Sequence, residues 1–178
     1  HAALALRLFD AHPETAFDEA AVEPLLAKDD KGKSKLLELV ADASSEALVD
    51  KLCAESAKIK AAVFSEETFV AMAKPDTASV ALKLIEKGLE VTPEMVEPLL
   101  AKDDKGKSKL LELIADASCE VLVDRLCAES PKIKAAVFSE EMFVVMAKPE
   151  TASVALKLIR KGLEVTPAGL HAGLTAGD

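Results

Sequence analysis

Aromatic side chains are nearly missing from this 178-residue chain, which has six Phe and neither Trp nor Tyr, although half of its residues are apolar. A wide core filled with large rings is therefore excluded. Sites that stack on nucleic-acid bases also need aromatic side chains. The composition is typical of a thin structure in which Ala, Leu and Val pack between close neighbours.

Histidine and cysteine are also scarce. The three His lie outside the repeated part of the chain, so no His-based nucleophile or metal site is duplicated; they are His1, His12 and His171. An odd number of Cys favours reduced thiols in a cytoplasmic protein over a disulfide framework. We expect Cys53 and Cys127 to be buried on apolar stripes, and Cys119, beside a helix cap, to be the most exposed of the three.

Positive charge is in deficit, with 22 Lys and Arg against 31 Asp and Glu, which gives a formal net charge of −9. This balance argues against a nucleic-acid surface or a basic membrane-binding face, and it leaves a protein partner with a basic surface as the expectation. No apolar run reaches 18 residues, so no membrane-spanning helix is predicted. The chain begins HAALALR, without Met or a basic signal start, and we expect a fragment of a longer protein.

An internal duplication dominates the sequence. The segment EPLLAKDDKGKSK at 23–35 recurs unchanged at 97–109, a period of 74 residues. Over 72 aligned positions, 22–93 and 96–167 differ at only nine. The flanks continue the pattern, because 2–10 resembles 78–86 and the pair Thr166-Pro167 restarts the segment that begins at Thr92-Pro93.

Capping signals divide each period into six short helices. Thr92-Pro93-Glu94, Ser118, Ser130-Pro131 and Ser139 predict helix starts, and Gly162 predicts a left-handed end. No segment alternates with the period of two that is typical of a half-buried strand. We predict an all-α fold, an α-solenoid of stacked helical hairpins of the ankyrin-like or HEAT-like kind. The six hairpins would span 17–43, 44–64, 65–90, 91–117, 118–138 and 139–164.

These hairpins predict one helical-repeat domain over 1–178. Residues 2–16 would end a preceding hairpin, 17–90 and 91–164 would be two near-identical super-repeats, and 165–178 would begin a degenerate further unit. As a fragment, the chain is expected to be monomeric. Helices of about 8 to 12 residues are marginal alone, so their stability must come from stacking.

Two motifs suggest chemistry, but a structural interpretation suits each better. Gly32-Lys33-Ser34 and its repeat lack the Gly that a phosphate-binding loop needs five positions earlier, where Ala27 and Ala101 stand. Lysines interrupt Asp29-Asp30 and its repeat, whereas a calcium loop needs oxygen ligands at alternate positions. Both are predicted to be solvated turns, with no cofactor or metal.

The differences between the copies point to a candidate binding surface. We predict that four of the nine fall on the first helices of hairpins, and each exchanges a small or polar group for a bulkier or softer one. These pairs are Ser45/Cys119, Ala47/Val121, Thr68/Met142 and Ala71/Val145. Either these helices line a recognition face, or the changes are neutral drift with core adjustment. Complete burial of Ala47, Ala71, Val121 and Val145 would exclude the first explanation.

Three short segments of the chain show a family resemblance: TPEMVEPLL (92–100), DKGK (104–107) and LLELI (110–114). A second instance of the pattern lies at 139–147 and 154–162. These resemble the short, ankyrin-related helical repeats that follow the nucleotide-binding domain in fungal innate-immunity-like receptors. The ankyrin signature Thr-Pro-Leu-His is absent. Pumilio-like RNA readers have a similar repeat length, but their base-reading positions would fall on Ala78, Ser79 and Leu82, which carry no suitable groups.

We therefore predict a non-catalytic module for protein–protein recognition. The resemblance implies the ligand-sensing repeat array of a larger receptor. The alternatives are a passive scaffold or spacer, and a repeat domain attached to a catalytic domain elsewhere in a longer protein.

Overall fold

In a computed structural model, residues 19–30, 33–104, 106–148 and 151–175 can be described, and their regular structure is helical throughout. They form thirteen α-helices, three short 3-10 helices and no β-strand, which confirms the all-α prediction. The chain divides into two units, His1–Met72 and Ala73–Asp178. The predicted hairpin end at 2–16 lies outside the described residues.

The first unit contains five described α-helices: α1 Glu19–Leu26, α2 Lys35–Ala41, α3 Glu46–Glu55, α4 Ala57–Val63 and α5 Glu66–Met72. The second contains eight: α6 Ala78–Glu86, α7 Pro93–Leu100, α8 Lys109–Ala115, α9 Glu120–Glu129, α10 Pro131–Val137, α11 Glu140–Met146, α12 Ala152–Arg160 and α13 Pro167–Thr175. The 3-10 helices are Ala43–Ser45, Pro75–Thr77 and Ala117–Cys119.

Serine caps start several of these helices, as predicted. The Ser130 Oγ accepts a hydrogen bond from the Ile133 backbone N at 3.3 Å, and Pro131 occupies the first helical position. Ser139 caps α11 in the same way, at 3.1 Å from the Met142 N. Ser118 does not cap α9. It follows Asp116, whose Oδ1 accepts from the Ser118 N and caps the 3-10 helix instead.

Glycine ends α12, as predicted. Gly162 has a φ of 108°, in the positive range that other residues avoid. Its N donates to the Ile159 O, and the Leu163 N donates to the Leu158 O, which is the Schellman arrangement. Leu163 is buried, so the motif also turns the chain back onto the core. Gly88 repeats this end at a φ of 103° in the earlier copy.

Each unit has a core of apolar side chains, most of them aliphatic. In the second unit, the fully buried residues include Leu99, Leu110, Leu113, Leu126 and Ile133. Leu52, Ile59 and Phe69 occupy the first unit's core. The helices therefore bury one face each and leave their charged faces in water.

Helices in each unit pack against their neighbours and against the third helix along the chain. In the first unit, α1 contacts both α2 and α4. In the second, α7 contacts both α8 and α10, and α6 contacts α9. The helix pairs within the predicted hairpins at 17–43, 44–64, 91–117, 118–138 and 139–164 are in contact.

Ion pairs between helices repeat with a similar spacing. Lys28 pairs with Glu67, 39 residues away, and Lys58 pairs with Glu23, 35 residues away. The equivalent pairs in the second unit are Lys102–Glu141 and Lys132–Glu97. Two more, Lys157–Glu120 and Lys161–Asp124, are 37 residues apart. This last spacing is half of the 74-residue period.

Candidate protein-binding surface

The eight positions predicted to form a binding surface divide by burial. Ser45, Thr68, Cys119 and Met142 are buried. Ala47 and Val121 are exposed, and Ala71 and Val145 are half-buried. The four residues whose complete burial would have excluded a recognition face are therefore all at least partly accessible.

The prediction that Cys119 is the most exposed cysteine is wrong, since Cys119 is fully buried and Cys53 and Cys127 are half-buried. Cys119 ends the 3-10 helix Ala117–Cys119, which contacts α6. A tertiary contact therefore covers a position that its place beside a cap suggested was open. Ser45, its equivalent, is also buried, so this pair contributes packing and no accessible surface.

Val121 is the clearest surface change between the copies. Its side chain is 63% exposed near the start of α9, where the first copy has the exposed Ala47. A change from Ala to Val lowers helix propensity and gains nothing from burial at such a site. Folding therefore gives no reason for the larger side chain, whereas a contact with a partner would.

An open groove of about 210 Å³ occurs in each unit at equivalent positions. The first groove lies among α1, α2, α4 and α5, and its lining includes Leu26, Lys28, Leu37, Ala62, Glu67 and Thr68. The second groove lies among α7, α8, α10 and α11, and its lining includes Leu100, Lys102, Leu111, Glu141, Met142 and Val145. Each groove is apolar along its walls and has a Lys–Glu ion pair among its lining residues.

The wall formed by the last helix differs between the two grooves. In the first groove, the Thr68 Oγ1 donates to the Ala62 O at 2.8 Å, so this wall is polar and small. In the second, Met142 replaces that hydroxyl with a flexible thioether, and Val145 adds to the lining. Methionine adapts its shape to apolar ligands. Two of the nine differences between the copies therefore alter the same groove.

The Lys–Glu ion pair at each groove leaves the groove open. Lys28 and Glu67 are 53% and 66% exposed and their charged atoms are 2.6 Å apart. Exposed pairs contribute about 0–1 kcal/mol, so they position the helices only weakly. They also mark the groove edges with both signs of charge.

A second charged cluster joins α9 and α12. Lys161 donates to Asp124 Oδ1 at 2.7 Å, and Lys157 donates to Glu120 Oε2 at 2.8 Å. The bond from Lys157, together with the bond from Lys161, lowers the pKa of the Glu120 carboxyl. The bond to Asp124 raises the pKa of Lys161. These shifts have structural causes and need no bound substrate.

Below this cluster is a small crevice of about 40 Å³ that Cys127, Phe138 and Leu158 help to line. Burial raises the pKa of the Cys127 thiol, and Asp124 adds to the rise. The thiol is therefore protonated at neutral pH, whereas a nucleophilic cysteine needs a lowered pKa.

The remaining sequence motifs lie in turns. Gly106 has a φ of 74°, its N donates to the Asp103 O, and the Lys107 N donates to the Asp103 Oδ1 at 2.8 Å. This loop joins two helices, as predicted. Gly32 lies outside the described residues. Among those that are described, no group of three or more His, Cys, Asp or Glu is placed to hold a metal ion, and every helix is too short or too polar to cross a membrane.

The sequence pattern predicted two residues that line the second groove, Met142 and Val145, but it predicted neither groove and none of the ion pairs across them. A search for oppositely charged residues 35 to 39 positions apart, close to half of the 74-residue period, would have found the pairs. Comparison of the chain with protein-family models, with curated proteins and with solved structures finds no match.

Proposed function

We propose that this chain is part of an α-solenoid that recognises another protein and performs no catalysis. The observation that carries the proposal is the second groove, whose Met142 and Val145 differ from the first copy while the rest of its described lining has the same residues. The two copies are nearly identical, yet they differ in the lining of an accessible groove. Selection by a binding partner explains this location of the differences better than drift spread evenly over the chain does.

The solenoid arrangement is supported by the contacts within each unit. Helices pack against the third helix along, and ion pairs recur 35 to 39 residues apart. A stack of short repeats requires a regular step. The observed step is three helices, one more than the two helices of each predicted hairpin. The solenoid would be built from steps of half the 74-residue period, with the two super-repeats following each other.

The proposed partner presents an apolar side chain to the second groove and a basic surface around it. The first requirement follows from the apolar lining of Leu111, Met142 and Val145. The second follows from the net charge of −9, which attracts basic proteins at low salt. In the role that the resemblance implies, the array would sense a ligand for a larger, nucleotide-binding receptor.

The first copy supplies the residues that test this proposal. The triple variant V121A/M142T/V145A gives the second copy the first copy's residues, all of which the fold already accommodates at equivalent positions. The control variant R125K makes another copy-to-copy exchange, at an exposed ion-paired residue. Both variants should keep the thermal midpoint within about 3 °C of the parent chain.

The measurement is affinity capture from cells that make the protein, at low and high salt, with captured proteins quantified by mass spectrometry. We expect R125K to capture what the parent chain captures, and the triple variant to lose at least about 80% of it, the equivalent of roughly 1 kcal/mol. Equal capture by the triple variant would contradict the proposed surface. Capture of nothing by the parent chain would favour the passive scaffold.

A further inference from the structure

Two nearly identical helices expose one face to different degrees. Helix α6 (ASVALKLIE) and helix α12 (ASVALKLIR) differ only at Glu86/Arg160. In α6, Ala78 and Ile85 are buried and Leu82 is half-buried. In α12, their equivalents Ala152, Leu156 and Ile159 are all exposed, Leu156 by 56% and Ile159 by 40%. These three positions, spaced i, i+4 and i+7, form one apolar stripe, which we call the acceptor face.

The second unit shows what covers such a face. Helix α6 contacts the 3-10 helix Ala117–Cys119 and helix α9. The turn and helix bury Cys119, Leu122 and Leu126, at i, i+3 and i+7, so a matching apolar stripe lies on the covering element. A helix of almost the same sequence as α12 is therefore already covered in this way within the same unit.

We propose that the acceptor face of α12 binds a further repeat unit, one with the turn and helix found at 117–129. The element that binds is an amphipathic helix that follows a tight 3-10 turn. It has a small residue at the turn and leucines three and seven positions later. This site is separate from the two grooves, and it does not depend on their function.

A second copy of this chain is not the occupant, because its matching elements are already packed. Cys119, Leu122 and Leu126 are buried in the second unit, and Ser45, Leu48 and Leu52 are buried in the first. Either set would have to leave its own unit in order to dock. The acceptor face therefore fits a repeat unit beyond the described helices.

An extended chain tests this proposal. The sequence 105–138 is joined after Asp178, which continues the 74-residue period in register. Hydrogen exchange of the amides in 152–160 is then compared between the natural and extended chains. Docking should slow their exchange by about tenfold or more. Because helices this short are marginal alone, the extension should gain helicity in circular dichroism only by docking.

The substitution Ile159→Glu is the matched control. Ile159 is exposed in the natural chain, so this variant should keep the natural chain's thermal midpoint within about 3 °C. In the extended chain, it should abolish both the slowed exchange and the added helicity. The proposal is overturned by an extension that stays unfolded, or by slowing that persists in the I159E variant. A natural chain that sediments as a dimer, and becomes a monomer with I159E, would also overturn it by making a second copy the occupant.

Discussion

Truncation of Leu126 tests whether burial between stacked helices holds this fold together. Leu126 is fully buried in α9, a helix that contacts α6, α8 and α10. Leu126→Ala removes three carbon atoms from a fully buried site. Comparable buried Leu→Ala changes reduce the free energy of unfolding by about 2–5 kcal/mol, because the transfer term and the cavity add.

Urea unfolding, followed by circular dichroism, measures this loss. With a slope of about 2 kcal/mol per M, a loss of about 3 kcal/mol lowers the urea midpoint by about 1.5 M. The effect should be large because the ten-residue α9 has little stability of its own. We expect the transition of the second unit to shift and its slope to stay constant.

Arg125→Ala is the control on the same helix. Arg125 is 48% exposed, and its ion pair with Glu129 at 2.9 Å is a surface pair. Its loss should change the free energy of unfolding by less than about 0.5 kcal/mol. A loss below about 1 kcal/mol for L126A, or equal losses for both variants, would refute the argument that the inner faces of the helices supply the stability.

Three further substitutions test local interactions. Glu120→Gln should remove a stabilisation that is present above the carboxyl's usual pKa of 4.5 and lost as pH falls through its lowered folded pKa. The thermal midpoints of variant and parent should therefore differ at pH 7, and the difference should shrink as the pH falls below 4.5. Gly162→Ala should lower the free energy of unfolding by about 1–2 kcal/mol in urea, because its φ of 108° strains any side chain. Ser130→Ala should lower it by about 1 kcal/mol through the lost cap on Ile133, and Ser130→Thr should restore most of the loss.

Helix starts and ends were predictable because their signals are local. Ser130, followed by Pro131, hydrogen-bonds to a backbone group only three residues away. The backbone at Gly162, after an apolar stripe, likewise bonds to groups only a few residues away. Such signals do not depend on the rest of the fold. The all-α class followed from these caps and from the absence of strand periodicity.

Long-range packing could not be predicted in the same way. The burial of Cys119 depends on a contact between the turn that carries it and α6, more than 30 residues earlier in the chain. The second groove combines Leu100, Leu111 and Met142, from helices that no local pattern places together. The repeat itself contained some information about the grooves, because the Lys–Glu pair at each groove joins residues 39 positions apart, close to half the 74-residue period.

The nine differences between the copies become interpretable once burial is known. Ala57/Pro131 lies at a first helical position, where proline fits without loss. Lys51/Arg125 keeps the positive charge at a position that is half-buried in the first copy and exposed in the second. Changes of this kind preserve the fold and need no partner. Ala47/Val121 differs from them, because it enlarges an exposed apolar side chain on a helix that gains no burial from it. If drift alone had separated the copies, V121A would leave capture unchanged, so this residue is where drift and recognition predict different results.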